Sequence, residues 1–179
     1  MQDVIVIGNS PEILGRGLGS IINNTQTVVR LNCFKTVGFE NDVGTKTDIY
    51  FVARKALPVS GQSESLYKYA RVYYIPGLKR GHLAPSADNI TVVKDEFIKY
   101  LCGKIGLIGD KIPSTGIISL EIMTLFYGTI KCCGFDFMQC GHVRHYYQSQ
   151  KLEITKYHDW DLEKKYFDFL VGAGCLIPV

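Results

Sequence analysis

The sequence predicts a single-domain α/β fold over residues 1–179, a Rossmann-like and mostly parallel sheet flanked by helices. Three observations carry that expectation. Val4–Ile7 is an unbroken apolar run that stops at Gly8, the pattern of a strand covered on both faces. Short apolar runs then alternate with segments of helical spacing along the chain. Finally, 179 residues that are 46% hydrophobic and 21% charged suit one folded unit with a sizeable core.

The elements follow in order. Thr27–Asn32, Asp48–Ala53 and Arg71–Pro76 read as further strands, because Val, Ile, Tyr and Phe concentrate there between turn residues. Residues 56–88 carry Pro-Gly and Gly-rich turns and are the expected place for a mobile loop. Val93–Leu101 has apolar residues at helical spacing. Gly116–Phe126 is a second helix, entered through Pro113-Ser114-Thr115 and left at Gly128. Thr129–Phe135 returns as a strand, and Trp160–Val171 makes the last amphipathic helix. No internal repeat, low-complexity stretch or linker divides the chain.

Composition excludes several classes. Lys+Arg number 20 against 17 Asp+Glu, a net charge of +3, which is too mild for a nucleic-acid binder. No apolar stretch approaches the roughly 18 residues of a membrane span. Met-Gln-Asp leads straight into a strand rather than a signal peptide. The expectation is a cytoplasmic protein whose membrane contact, if any, is peripheral, at the inner face. The six cysteines are Cys33, Cys102, Cys132, Cys133, Cys140 and Cys175. They form no Cys-x-x-Cys, and Cys133, Cys140, His142 and His145 fit no common zinc spacing. Reduced, free thiols and no bound metal are expected.

In such sheets the ligand sits outside the carboxyl ends of the strands, which directs attention to Gly8-Asn9-Ser10, Arg30-Leu31-Asn32 and the loops at Ser114 and Gly134. The glycine run Gly15-x-Gly17-x-Gly19 is either an anion-cradling loop or a tight strand-to-helix turn. It is not the dinucleotide fingerprint, because residue 20 is Ser20, and no Gly-Lys-Ser/Thr marks a triphosphate loop. Ser114-Thr115-Gly116 before an apolar helix reads as an N-cap, as an oxyanion site, or as both. His142, His145 and His158 lie in a polar, aromatic stretch, and a histidine near neutral pKa is a natural general base.

These pieces stand in a known order. Ile5-Val6-Ile7-Gly8-Asn9-Ser10, Gly15-x-Gly17-Leu18-Gly19, Val29-Arg30-Leu31-Asn32 and Thr36-Val37-Gly38-Phe39-Glu40-x-Asp42-Val43-Gly44-x-x-Thr47 closely resemble the large motif of the eukaryotic-type sialyltransferases, glycosyltransferase family 29. Pro113–Gly116 with Gly134-Phe135 resembles the small motif. His145-Tyr146-Tyr147-Gln148 resembles the third, and His158 followed by Glu163 the very small motif.

The resemblance implies a metal-independent, inverting glycosyltransferase of GT-A-like fold. It would move sialic acid from cytidine monophosphate (CMP)–sialic acid to a hydroxyl of a glycan or lipid-linked oligosaccharide. It implies that Asn9, Asn32 and Ser10 hold the donor's phosphate and ribose region, that Ser114, Thr115 and Gly116 contact the sialyl carboxylate and nucleotide, and that Gly134 and Phe135 line the cytidine pocket. His145 and Tyr146 would face the leaving phosphate, His158 would be the general base, and Glu163 would support the His158 loop. The chain departs from the Golgi enzymes in lacking their disulfide between the large and small motifs: the matching positions are Val4 and the neighbourhood of Tyr127. Two alternatives stand beside this reading: a transferase using another CMP-linked ulosonic acid such as CMP-Kdo in lipopolysaccharide or capsule synthesis, and an inactive nucleotide-sugar-binding protein.

Overall fold

Val4–Ile7 forms strand β1, and all four residues are buried. The fold comes from a computed structural model, and the structure describes residues 2–56, 66, 68–76, 85–139, 145–148 and 157–179. The other strands are β2 Thr27–Leu31, β3 Ile49–Ala53, β4 Arg71–Ile75, β5 Ile90–Val92, β6 Ile130–Cys133 and β7 Leu176–Pro178. The helices are α1 Gly19–Asn24, α2 Glu40–Val43, α3 Asp95–Ile105, α4 Thr115–Tyr127 and α5 Trp160–Gly172.

Among the described residues, seven strands make one sheet in the order β5-β4-β3-β2-β1-β6-β7. Every pairing is parallel. The chain therefore builds outward from β1 in two directions, through β2 to β5 on one side and through β6 and β7 on the other. The reversal lies between β1 and β6, and it leaves a crevice at their carboxyl ends.

Alternation along each strand sorts the side chains onto two faces. Val6, Val29, Phe51 and Tyr73 pack on one face against Leu101 of α3, Leu120 and Met123 of α4, and Phe167 and Leu170 of α5. The apolar side of α5 is thus used for core packing. On the other face, Ile5, Ile7 and Val28 meet Ile22 of α1 and Val43 of α2, while Tyr50, Val52, Val72 and Tyr74 form a neighbouring cluster. Val4 is buried in the first cluster and Tyr127 packs against that cluster, so both positions belong to the apolar core where the resemblance puts a disulfide.

Arg30 interrupts the apolar pattern of β2. Its Nε donates to Lys46 O and Thr47 Oγ1, both at 3.0 Å, and Nη2 to Val43 O at 2.6 Å. It clamps the turn after α2 onto the sheet. Burial lowers the guanidinium to about 10, which leaves it charged at neutral pH.

The structure adds elements beyond those read from the sequence. β5, β7, α1 and α2 have six residues or fewer, too few to display a period. α3 starts at Asp95 rather than Val93, because the Val93 N–H is given to Tyr74 O at 2.8 Å, continuing the sheet. Within the 56–88 span, β4 stands where Arg71–Pro76 reads as a strand, while 57–65, 67 and 77–84 lie outside the described residues. Among the described residues no helix is long and apolar enough to cross a membrane. Cys33, Cys102, Cys132, Cys133 and Cys175 are free; burial pushes the Cys132 and Cys133 thiols up to about 12. Cys140 lies outside the described residues, as does His142.

Candidate active site

At the switch point, β1 and β6 run on past their strand ends in contact. Gly8 N donates to Cys133 O at 2.8 Å and Ser10 N to Gly134 O at 3.1 Å. A Cβ on Gly8 would lie 2.0 Å from Gly134 O. Gly134 itself has φ +75°, in the left-handed region. Only glycine suits this pair, and their approach brings Asn9 and Ser10 level with Phe135.

Asn9 is 9% exposed. Its Nδ2 donates to Leu31 O at 2.9 Å, tying β1 to β2, and its Oδ1 has no hydrogen bond. Its carbonyl accepts the Tyr146 N–H at 2.9 Å. That bond docks residues 145–148 on the crevice, with the rings of His145 and Tyr147 stacked at 5.3 Å. The Tyr146 hydroxyl donates to Lys35 O and accepts the Lys35 N–H. Its reach is thereby directed at the chain after β2. Asn32, with φ +49°, turns its Oδ1 back to accept the Ala53 N–H at 2.9 Å, which leaves its NH₂ as the group able to meet a ligand oxygen. Ser10 Oγ caps the short helix Pro11–Ile13 by accepting Glu12 N at 3.3 Å.

A second group assembles at the starts of α4 and α5. Ser114 Oγ accepts Ile117 N at 3.3 Å as the N-cap of α4, leaving the first-turn N–H groups at the helix mouth. Ser114 N donates to Glu163 Oε1 at 2.8 Å. The same Oε1 lies 3.7 Å from His158 Nδ1. His158 Nδ1 is also 2.9 Å from Ile112 O. A carbonyl only accepts, so Nδ1 carries a proton, and in the neutral ring the lone pair is on Nε2. Trp160 flanks the imidazole at 5.0 Å between ring centres. Lys111 Nζ and Ile112 N hold the backbone of His158 and Tyr157. Glu163 is fully buried, and burial pushes its carboxyl up to about 7, with Asp159 adding to the rise and the Ser114 hydroxyl and N–H opposing it.

Phe135 joins the two groups. A Cβ on Gly116 would stand 3.0 Å from its ring, and one on Gly8 3.3 Å from the other side. Asn9 Oδ1, Gln148 Oε1, Trp160 Nε1 and Glu163 Oε2 are buried without hydrogen-bond partners. Orphaned polar atoms are rare in folded proteins and concentrate at functional sites.

Glu12 is the residue that sequence reasoning missed. Its Oε1 accepts Gly134 N at 2.9 Å and Phe135 N at 3.2 Å, clamping one side of the crevice to the other. The glycine run resolves as a turn: Gly17 N–H is given to Asp42 Oδ1 at 2.9 Å, and Gly19 packs against the backbone of Glu40. Among the described residues no group of three His, Cys, Asp or Glu side chains is arranged to hold a metal ion.

With this arrangement in view, the comparisons with known proteins decide the family. The model of glycosyltransferase family 29 (sialyltransferase) matches residues 1–83 and 63–175. The chain belongs to this family. A mouse CMP-N-acetylneuraminate-beta-galactosamide-alpha-2,3-sialyltransferase 2 is 26% identical over 94% of the chain and 54% of its own length. A beta-1,6-galactosyltransferase of Arabidopsis thaliana is also 26% identical, over 97% of the chain and 52% of its own length. The chain thus spans about half the length of these curated relatives. A mammalian sialyltransferase solved with Gal-beta-1-3GalNAc-ortho-nitrophenol has the same fold, with a TM-score of 0.72 at 22% identity, over 99% of this chain and 69% of that one.

Proposed function

We propose that the chain transfers sialic acid from CMP-sialic acid to a glycan hydroxyl, with inversion and without a metal. The observation that carries this reading is the contact between His158 Nδ1 and Ile112 O, which puts the basic lone pair on Nε2. The acceptor hydroxyl gives its proton to Nε2 as its oxygen bonds to the anomeric carbon. The bond from that carbon to the donor phosphate breaks, and its electron pair leaves with CMP. A single displacement from the opposite face inverts the centre. Charge develops on phosphate oxygens, and preorganised donors lower its energy: the Asn32 amide and the histidine and tyrosine segment 145–146 are the candidates. The orphan Asn9 Oδ1 accepts a ribose hydroxyl. Ser114, Thr115 and Gly116 at the mouth of α4 receive the sialyl carboxylate, where the helix dipole favours an anion. Gly134 and Phe135 border the cytidine. Glu163 acts through Ser114 and His158.

The test is release of CMP from CMP-sialic acid in the presence of galactose-terminated acceptors, glycan and lipid-linked. Release that requires acceptor supports the reading, and binding of donor without release favours an inactive nucleotide-sugar-binding protein. A second reading concerns the donor. The mouse and Arabidopsis relatives are equally identical to this chain although their names give different transferred sugars, so CMP-Kdo and a galactose nucleotide belong in the same assay. We place the protein in a reducing, cytoplasmic compartment, with peripheral membrane contact at most. The free cysteines and the apolar Val4 and Tyr127 support that placement, and cell fractionation tests it.

A further inference from the structure

A cavity of about 310 Å³ lies on the sheet face opposite α3, α4 and α5, lined by Phe34, Thr36, Thr45, Thr47, Lys68 and Tyr69. Arg30 stands behind its wall. Its Nε donates to Thr47 Oγ1 at 3.0 Å, its guanidinium carbon is 5.3 Å from the centre of the Phe34 ring, and its charge reaches Tyr69. This guanidinium is 1% exposed and leaves Nη1 without a hydrogen bond. Among the described residues no carboxylate pairs with it. A buried cation without a counter-ion is costly, and a nearby anion offsets that cost. Thr47 carries the effect outward: its oxygen accepts from Arg30, so its own proton is the one left to donate. Lys68 adds a second cation, its ammonium 5.2 Å from the centre of the Tyr69 ring. Phe34 is half-buried and offers aromatic surface able to cover the C–H face of a sugar, with the buried Tyr69 ring packed beside it at 6.4 Å between centres.

We propose that this cavity binds a saccharide residue bearing an oxyanion, a carboxylate or a phosphate, with the anion at Thr47 and Lys68 and the ring against Phe34. The site is separate from the crevice, with the Tyr146 side chain lying between them. Lys35, between Phe34 and Thr36, gives its N–H to the Tyr146 hydroxyl at 3.1 Å, and Tyr146 in turn docks on Asn9. Such a place suits the acidic, non-reacting part of an acceptor glycan, and a free sugar phosphate shares the chemistry. The inference goes beyond the donor reading and stands independently of it.

The test titrates the isotopically labelled full chain, with and without saturating CMP, and follows the amide resonances of Thr36, Thr45, Thr47 and Tyr69. The probes are methyl β-glucuronide, glucose 6-phosphate and neutral methyl β-glucoside. The charged sugars are expected to bind at least about tenfold tighter than the neutral one, with CMP making no difference. Lys68→Ala, at an exposed position, should weaken them roughly fivefold or more, and Thr47→Val likewise. Tighter glucuronide binding points to an acceptor chain and tighter phosphate binding to a free metabolite; both uphold the site. Equal binding of the neutral glucoside, unchanged affinity in Lys68→Ala, or competition by CMP with shifts confined to Asn9 and Gly134 overturns it. Failure of CMP itself to bind bears only on the donor reading.

Discussion

The Glu163 carboxylate accepts the Ser114 N–H at 2.8 Å across 49 residues of sequence, so one buried acid fixes the mouth of α4 relative to α5 and the His158 loop. Burial pushes that carboxyl up from 4.5 to about 7. Folding therefore takes up a proton between those values. With the folded state binding more protons, stability is fully present below about pH 4.5 and is lost as pH rises through about 7. The full effect is on the order of 3 kcal/mol. Glu163→Gln keeps an oxygen to accept Ser114 N–H and removes the titration. Urea unfolding from pH 5 to 8.5 should show wild type weakening toward high pH and the variant following a flatter curve. Parallel curves for the two proteins would sink the assignment.

His158→Ala removes the base held by Ile112 O at 2.9 Å. Turnover, measured as CMP release, should fall by roughly 10²-fold or more, the usual scale for general-base loss. CMP binding by calorimetry should change little, because the residues offered for the donor are elsewhere. Near-normal turnover with donor bound would falsify the role.

What the sequence makes legible follows from how local each signal is. β1 reads clearly because four consecutive apolar residues end at a glycine, and α4 because Ser114 announces its start. Asn9 and Gly134 are legible as ends of strands in a parallel sheet, where ligands bind. The edge strands Ile90–Val92 and Leu176–Pro178 are not, since three residues carry no period and pairing with a neighbour defines them. Glu12 is invisible for a related reason: its meaning lies in the N–H groups of Gly134 and Phe135, and nothing beside Glu12 in the chain points there. The buried charge of Arg30 hides in the same way, because its partners, two backbone carbonyls and the Thr47 hydroxyl, take positions that only the fold determines.

The Gly8–Gly134 contact makes a sharp contrast with Gly103. Alanine at Gly8 puts a methyl 2.0 Å from Gly134 O, so β1 and β6 must separate at the crevice. Gly8→Ala should cost about 3 kcal/mol or leave the protein insoluble, the upper end for overpacking. Gly103 lies in α3, and its Cβ would meet nothing within 4 Å. Gly103→Ala should therefore raise stability by roughly 0.5–1 kcal/mol through helix propensity. Thermal unfolding of both variants checks the pair, and a tolerated Gly8→Ala would show that the strand ends are not so closely apposed.

Away from the crevice, Glu121 of α4 is 1% exposed, yet it receives Lys104 Nζ of α3 at 2.6 Å and the Tyr166 hydroxyl of α5 at 2.5 Å. Burial pushes Tyr166 up to about 12, with the Glu121 hydrogen bond adding to the rise. Burial alone would lower Lys104, but its hydrogen bonds with Glu121 and Tyr166 hold it above its ordinary range. The cluster ties three helices on one sheet face. Breaking such a pair strands a buried charge, whereas replacing both members by apolar groups of similar size is often nearly neutral. Lys104 is 33% exposed, so water offsets part of the loss and Lys104→Met should cost about 2 kcal/mol. Glu121→Met should be of similar size, because Lys104 then loses its partner but reaches solvent. The double variant should recover most of either loss, a coupling of at least about 1 kcal/mol measured by urea unfolding. Strictly additive losses would mean that the three groups act separately and that helix packing, rather than the ion pair, holds α3 to α4.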